Sequence, residues 1–232
     1  MEKIFVVISI CCILYELFIK KNHILRLSAF ISTTILLIFI GIKFKHFPVI
    51  GLFETLNFYA LSTIFISYIW GTDNKSFDII SSVFLLLLFG LSLYGKPFSS
   101  PFVSDSLNTL LFPVHVAFSF ISYAFFTVAF FYALLNIETE KILRLNYLGF
   151  LNYTIGLWAG GIWAFKAWGA YFLYGIKEIF SFVIWIYYSG LIHLKYSGNR
   201  RLINIATIIG FVIVIFTYIG IGLFMKNTHS LR

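Results

Sequence analysis

Two histidines of this chain stand where an imidazole can do chemistry. His115 follows Pro113 at the start of a long apolar run, and His229 lies just past the end of the last one. In the topology derived below both sit at the same membrane interface, and two neutral imidazoles converging on one centre are what a low-spin haem iron takes as axial ligands. Taken singly, each is equally an interfacial residue at a helix end. Between them runs Trp158-Ala159-Gly160-Gly161-Ile162-Trp163-Ala164-Phe165-Lys166-Ala167-Trp168-Gly169-Ala170-Tyr171-Phe172-Leu173-Tyr174-Gly175-Ile176-Lys177-Glu178. An interfacial belt needs only one or two rings per helix, whereas these rings continue through a helix end, a loop and the next helix. Gly160, Gly161 and Gly169 would admit a flat partner closely. A broad macrocycle suits such a shelf, and Lys166 or Lys177 can meet its carboxylates. His193 is different: it lies about 22 Å along a helix from Glu178, at 1.5 Å per residue. Ligand and interfacial residue are open readings for it. His23 and His46 flank lysine-rich loops and read as interfacial.

The elements that must position these groups are membrane helices. Of 232 residues, 60% are hydrophobic and 11% charged, more apolar side chain than a soluble domain of this size can hide. The apolar runs are continuous rather than alternating, which selects helices over a barrel. They cover roughly 4–19, 27–43, 53–70, 77–94, 113–137, 147–165, 177–194 and 202–225. The expectation is an all-α, polytopic integral membrane helix bundle of about eight transmembrane helices. Lys20 and Lys21 follow the first run where a signal peptide would have its small-residue cleavage site, so that run is kept as a helix.

Cytoplasmic loops retain Lys and Arg. Placing 20–26, 138–144 and 195–201 inside puts four of the five arginines there (Arg26, Arg144, Arg200 and Arg201). Both termini then lie outside with the loops 44–52, 95–112 and 166–176, where the candidate chemistry gathers. The net charge of +8 sits at helix ends rather than in a stripe with exposed aromatics, which points to anionic membrane lipid and away from nucleic acid. Cys11 and Cys12 are adjacent within the first run, form no CxxC or metal spacing and read as packing residues; any thiol chemistry belongs to a partner. One domain, 1–232, is expected, with N-terminal helices over 1–94 and a core over 95–232 that carries most of the ionisable and indole groups.

Four segments, in consistent order over most of 45–232, resemble cytochrome c assembly proteins of the CcsA/ResC type, haem-handling proteins with a tryptophan-rich outer loop. They are Lys45-His46-Phe47-Pro48 through Phe53-Glu54-Thr55-Leu56; Ser106 through Pro113-Val114-His115 to Ser122-Tyr123-Ala124; Trp163 through Trp168-Gly169-Ala170-Tyr171 with Lys177-Glu178, Trp185 and Leu191-Ile192-His193; and Gly220 through Thr228-His229-Ser230. The resemblance implies a b-type haem (heme b) held outside a cell (inner, cytoplasmic) membrane by His115 and His229. Trp163, Trp168, Gly169, Tyr171, Phe172, Tyr174, Lys177 and Glu178 would form its loop site, and His193 would help to receive it from the cytoplasmic side.

The resemblance further implies a subunit of a cytochrome c synthase (haem lyase), acting with a CcsB/ResB-type membrane partner on apocytochrome c, with thiol reductant proteins involved indirectly. The family's loop usually continues Trp-x-Trp-Asp-Pro, where this chain has Phe172-Leu173-Tyr174-Gly175-Ile176. Phe and Tyr still stack, but the carboxylate is gone. Two other roles were open: a HemX-type regulator of tetrapyrrole metabolism, and a b-type electron-transfer subunit, which would set its histidine pair deep within helices. A transporter would show broken helices and a charged midplane site, and neither is evident.

Overall fold

In hydrocarbon a backbone amide finds no water, so each apolar run must satisfy its own hydrogen bonds as a helix. A computed structural model of the chain describes residues 2–18, 23–97, 107 and 109–220. Within them lie α1 (Glu2–Phe18), α2 (His23–Phe44), α3 (Leu52–Ile69), α4 (Lys75–Tyr94), α5 (Leu111–Leu134), α6 (Thr139–Trp168), α7 (Ile176–His193) and α8 (Arg200–Ile215). A 3₁₀ turn (Leu194–Ser197) follows α7, and α8 continues into a π-helical turn (Phe216–Gly220). Among the described residues there is no strand. Five of these helices (α2, α3, α4, α5 and α8 with its π turn) are long and apolar enough to cross a membrane. α1 is 17 residues long. α6 and α7 carry charged first turns and much of the Trp and Tyr, side chains that suit the membrane–water interface. The protein is a multi-pass helical membrane bundle.

The helix ends follow from local chemistry. Asn74 and Asn199 turn their side-chain carbonyls onto the amides of Ser76 (2.8 Å) and Leu202 (3.1 Å), capping α4 and α8. α6 stops at Gly169, whose φ of +76° favours glycine and whose amide donates to the Phe165 carbonyl at 2.8 Å. The tight α5–α6 turn places Asn136 and Glu138 at positive φ, which ends α5 at Leu134, short of the expected 137.

Helices in lipid gain little from the hydrophobic effect and associate through close packing of small residues and internal polar contacts. α5 is the central helix, packed on α3, α6 and α8, while the α1–α2 hairpin lies against α3 and α4. The α5–α6 pair is the most extensive. On α6, Gly149, Gly156 and Gly160 fall on the face turned to α5, and a Cβ on them would meet Phe126, Ser119 and His115 respectively. Cys12 packs against the core while Cys11 is exposed.

One basic residue expected in a connection is part of a helix: Arg26 lies in the first turns of α2 and is 5% exposed. Its Nε donates to Glu16 of α1, 2.8 Å from Oε1, and its Nη2 reaches Ser81 Oγ at 3.0 Å and the Asp78 carboxylate at 3.5 Å on α4. Burying a guanidinium is costly unless carboxylates and hydroxyls pair with it, and these partners on α1 and α4 let Arg26 fold inward.

Candidate functional site

At one end of the bundle the α2–α3, α4–α5 and α6–α7 connections meet the end of α8, and a cavity of about 660 Å³ opens among them. That lies within the roughly 300–1,000 Å³ of pockets that enclose cofactors and other small molecules. Val49 and Ile50 come from the first connection, Leu107 from the second with Phe112 of the first turn of α5, Tyr171 and Phe172 from the third with Trp168 at the end of α6, and Thr217 and Tyr218 from the π turn. Described residues of the three stretches expected to carry the chemistry therefore line one cavity.

His115, in the second turn of α5, lines this cavity. Its Nδ1 lies 2.7 Å from the Gly156 carbonyl of α6. A carbonyl only accepts, so Nδ1 carries the proton, and Nε2 is the ring nitrogen that keeps its lone pair. The imidazole rests on Gly160: a Cβ there would stand 2.5 Å from Nδ1 and 2.7 Å from Cε1. Gly160, expected to admit a flat ligand, lines the cavity and yields its Cβ space to the imidazole.

Aromatic rings wall the cavity. Trp163 packs on Phe112 (5.2 Å between centroids) and edge-on to Trp168 (4.7 Å). Tyr171 stacks on Phe165 at 4.4 Å, reinforcing the outer wall. The loop between α6 and α7 is held by Glu178, whose Oε2 accepts from the Leu173 amide at 2.6 Å. Lys177, partly buried, also lines the cavity, whereas Lys166 is exposed and outside it. A cationic head beside ring faces is a suitable partner for a carboxylate on a flat apolar ligand.

Of the residues singled out in the sequence, His115, Trp163, Trp168, Tyr171, Phe172, Lys177 and Glu178 are brought together. Gly169 is spent on capping α6 and does not line the cavity. Tyr174 is exposed, with φ of +59°, and its ring meets Phe172 edge-on at 5.0 Å. His193, the last residue of α7, is exposed at the opposite end of the bundle. His229 lies outside the described residues.

Sequence reading missed the cavity floor, which is rich in hydroxyls. Thr55 Oγ1 and Tyr218 OH are 3.0 Å apart, Tyr153 OH donates to the Ser181 carbonyl at 3.1 Å, and Ser119, Tyr123, Ser181 and Thr217 also line the cavity. A signal was present: His115, Ser119, Tyr123 and Thr127 recur every four residues and mark one polar stripe on a mostly apolar helix.

The family model described as cytochrome C assembly protein matches residues 49–229, from the loop before α3 to the tail. The chain belongs to that family. Its N-terminal hairpin, with Glu16 and Arg26, precedes the match. Among curated relatives, the cytochrome c biogenesis protein CcsA of Cuscuta reflexa is 34% identical over 110 residues, 44% of this chain and 36% of that protein. CcsA of Nostoc punctiforme is 38% identical over 91 residues, 38% of this chain and 25% of that protein. CcsA of Chlamydomonas reinhardtii is 26% identical over 247 aligned positions, 91% of this chain and 69% of that protein. The first relatives are thus matched over only about a quarter to a third of their length. A solved structure of the cytochrome c haem lyase CcmF superposes with a TM-score of 0.63 at 14% identity, covering 94% of this chain and 44% of that one, and shares the fold.

Proposed function

We propose that this protein carries haem for cytochrome c maturation, holding it in the aromatic cavity for transfer to apocytochrome c. The observation that supports this most directly is the His115 ring: Nδ1 is tied to the Gly156 carbonyl and Nε2 is left as a donor to iron inside a cavity of cofactor size. The residues present fit a haem. His115 and His229 would hold the iron in this reading. Trp163, Trp168, Tyr171 and Phe172 give ring faces, with Tyr174 at the rim. Lys177 meets a propionate, and Glu178 keeps the loop in place through the Leu173 amide.

When bound, a b-type haem supplies the vinyl groups to which the cysteines of an apocytochrome add. The protein's own part is to bind, orient and shield. All eight helices cross the membrane in this reading, the cavity end faces outward, and His193 stands at the inner end where haem enters. Attachment then takes place with a CcsB/ResB-type partner, so this chain is one subunit of the synthase.

The test is the visible spectrum of the detergent-purified chain as wild type, His115→Ala, His229→Ala and the double variant, each with and without added imidazole. Sharp low-spin bands that each single variant weakens and imidazole restores are expected. A folded protein without haem, or a spectrum indifferent to both substitutions, sinks the carrier reading and turns attention to regulation of tetrapyrrole metabolism.

A further inference from the structure

We infer that Gly160 and the Gly156 carbonyl form a saddle on α6 that selects the rotamer and tautomer of His115, making Gly160 a positioning residue for whatever Nε2 binds; this deepens the haem reading and rests on it. Gly156 and Gly160 are one turn apart, so both present themselves to the same residue of α5. At Gly156 the absent side chain lets the helices close until Ser119 lies 3.0 Å and the His115 carbonyl 3.3 Å from where a Cβ would stand. At Gly160 the space of the missing Cβ is filled by the imidazole itself, at distances of 2.5 Å to Nδ1 and 2.7 Å to Cε1 that no real Cβ tolerates. Ring atoms on a short side chain cannot yield there without rotating about χ1 or χ2, and rotation breaks the 2.7 Å bond from Nδ1 to the Gly156 carbonyl.

Two consequences follow from the same geometry. The carbonyl fixes the Nδ1–H tautomer, and its negative end raises the donor strength of Nε2, as outer partners of ligating histidines do at metal sites. The saddle also sets the ring plane before any ligand arrives, so ordering the ring costs little on binding.

The experiment uses the full chain in detergent, with three glycine variants. Gly160→Ala places a methyl in the ring's space. Gly149→Ala disturbs the same α5–α6 seam, at 2.4 Å from the Phe126 ring, without approaching His115. Gly90→Ala adds a methyl where nothing lies within 4 Å. The first readout needs no haem: ¹⁵N-histidine NMR of the chain prepared without haem, with the His115 signals found by subtraction of His115→Gln. A protonated Nδ1 and a bare Nε2 are expected in wild type, Gly149→Ala and Gly90→Ala, and a mixture or reversal in Gly160→Ala. The second readout is haem retention, expected to weaken about 10–100-fold in Gly160→Ala with partial recovery on added imidazole, and to hold in the other two.

A wild-type ring protonated at Nε2 overturns the inference whether or not haem binds, and needs no variant to fold. A Gly160→Ala protein with wild-type nitrogen signals and wild-type haem retention overturns the role of Gly160. If the wild-type tautomer is as stated, Gly160→Ala disturbs it, and no form binds haem, the saddle stands and the carrier reading falls.

Discussion

The bundle holds two polar interiors at opposite ends, and they are built on opposite terms. Around Arg26 charged groups pair with one another: guanidinium, two carboxylates and the Ser81 hydroxyl lie within 3.5 Å, next to a cavity of only about 180 Å³. Around His115 the cavity is more than three times larger, its walls are rings, and the imidazole spends one nitrogen on the protein and withholds the other. A buried charge cluster that closes on itself belongs to the folded state; a cavity whose best donor is held in reserve belongs to a ligand. The contrast assigns stability to one end and binding to the other, and each substitution below tests that division.

The largest effect is expected at Arg26. Removing one partner of a buried ion pair leaves the other uncompensated, typically at about 3–5 kcal/mol. Arg26→Ala and Glu16→Ala should each lower the free energy of unfolding in mixed detergent micelles by that much, while haem retained by the protein that remains folded is unchanged. The double variant Glu16→Leu with Arg26→Met should recover much of the loss, since well-packed apolar pairs often replace buried ion pairs without penalty. Haem loss from folded Arg26→Ala protein would break the division between the two ends.

At the cavity the order of effects should invert. Trp163→Ala deletes two ring contacts, to Phe112 and Trp168, each worth roughly 0.5–1.5 kcal/mol beyond area burial. Its signature should be haem release to excess apomyoglobin faster by about tenfold, equivalent to about 1.4 kcal/mol, with only a modest shift in unfolding. Glu178→Gln keeps the shape but turns a charge-assisted bond to the Leu173 amide into a neutral one, a loss of about 1 kcal/mol. Release should rise a few-fold there, because the loop loosens while every ring remains.

The helices were legible because lipid leaves so little choice: a continuous apolar run has one fold, and the observed ends fall within a few residues of the runs except at α6 and at the end of the last run, whose expected end at 225 lies outside the described residues. Helix α6 starts at Thr139 rather than 147, because Glu140 and Arg144 sit on exposed turns where charge does not oppose helix and pair with each other one turn apart. The rings and Lys177 were legible from density and order along one stretch. What was hidden is everything that depends on a second helix. That the imidazole of His115 on α5 rests in the Cβ space of Gly160, and that Gly169 ends α6 rather than lining the cavity, cannot be read from one helix. Arg26 reads as a loop charge in the sequence, and only Glu16 and Asp78 on two other helices explain why it is buried. The spacing His115, Ser119, Tyr123 was readable, but its meaning needed the hydroxyls of α3 and the π turn across the floor.

The smallest prediction sharpens the comparison within a single hairpin. α1 and α2 are joined by two ion pairs, Glu16–Arg26 at one end and Glu2–Lys43 at the cavity end. Lys43, whose side chain is 46% exposed, holds the Glu2 carboxyl down at about 2 by its hydrogen bond and charge. A carboxyl depressed in the folded state contributes stability that is fully present above its ordinary value near 4.5 and disappears as pH falls toward 2. Water and salt screen a pair so open, so Glu2→Gln should cost well under about 1 kcal/mol at neutral pH, and the difference from wild type should vanish below about pH 2 and shrink in high salt. The buried pair should behave otherwise, with salt leaving the cost of Glu16→Ala nearly unchanged. Equal salt sensitivity at both ends of the hairpin would mean that Arg26 is open to water and that the closed cluster is no more than a surface contact.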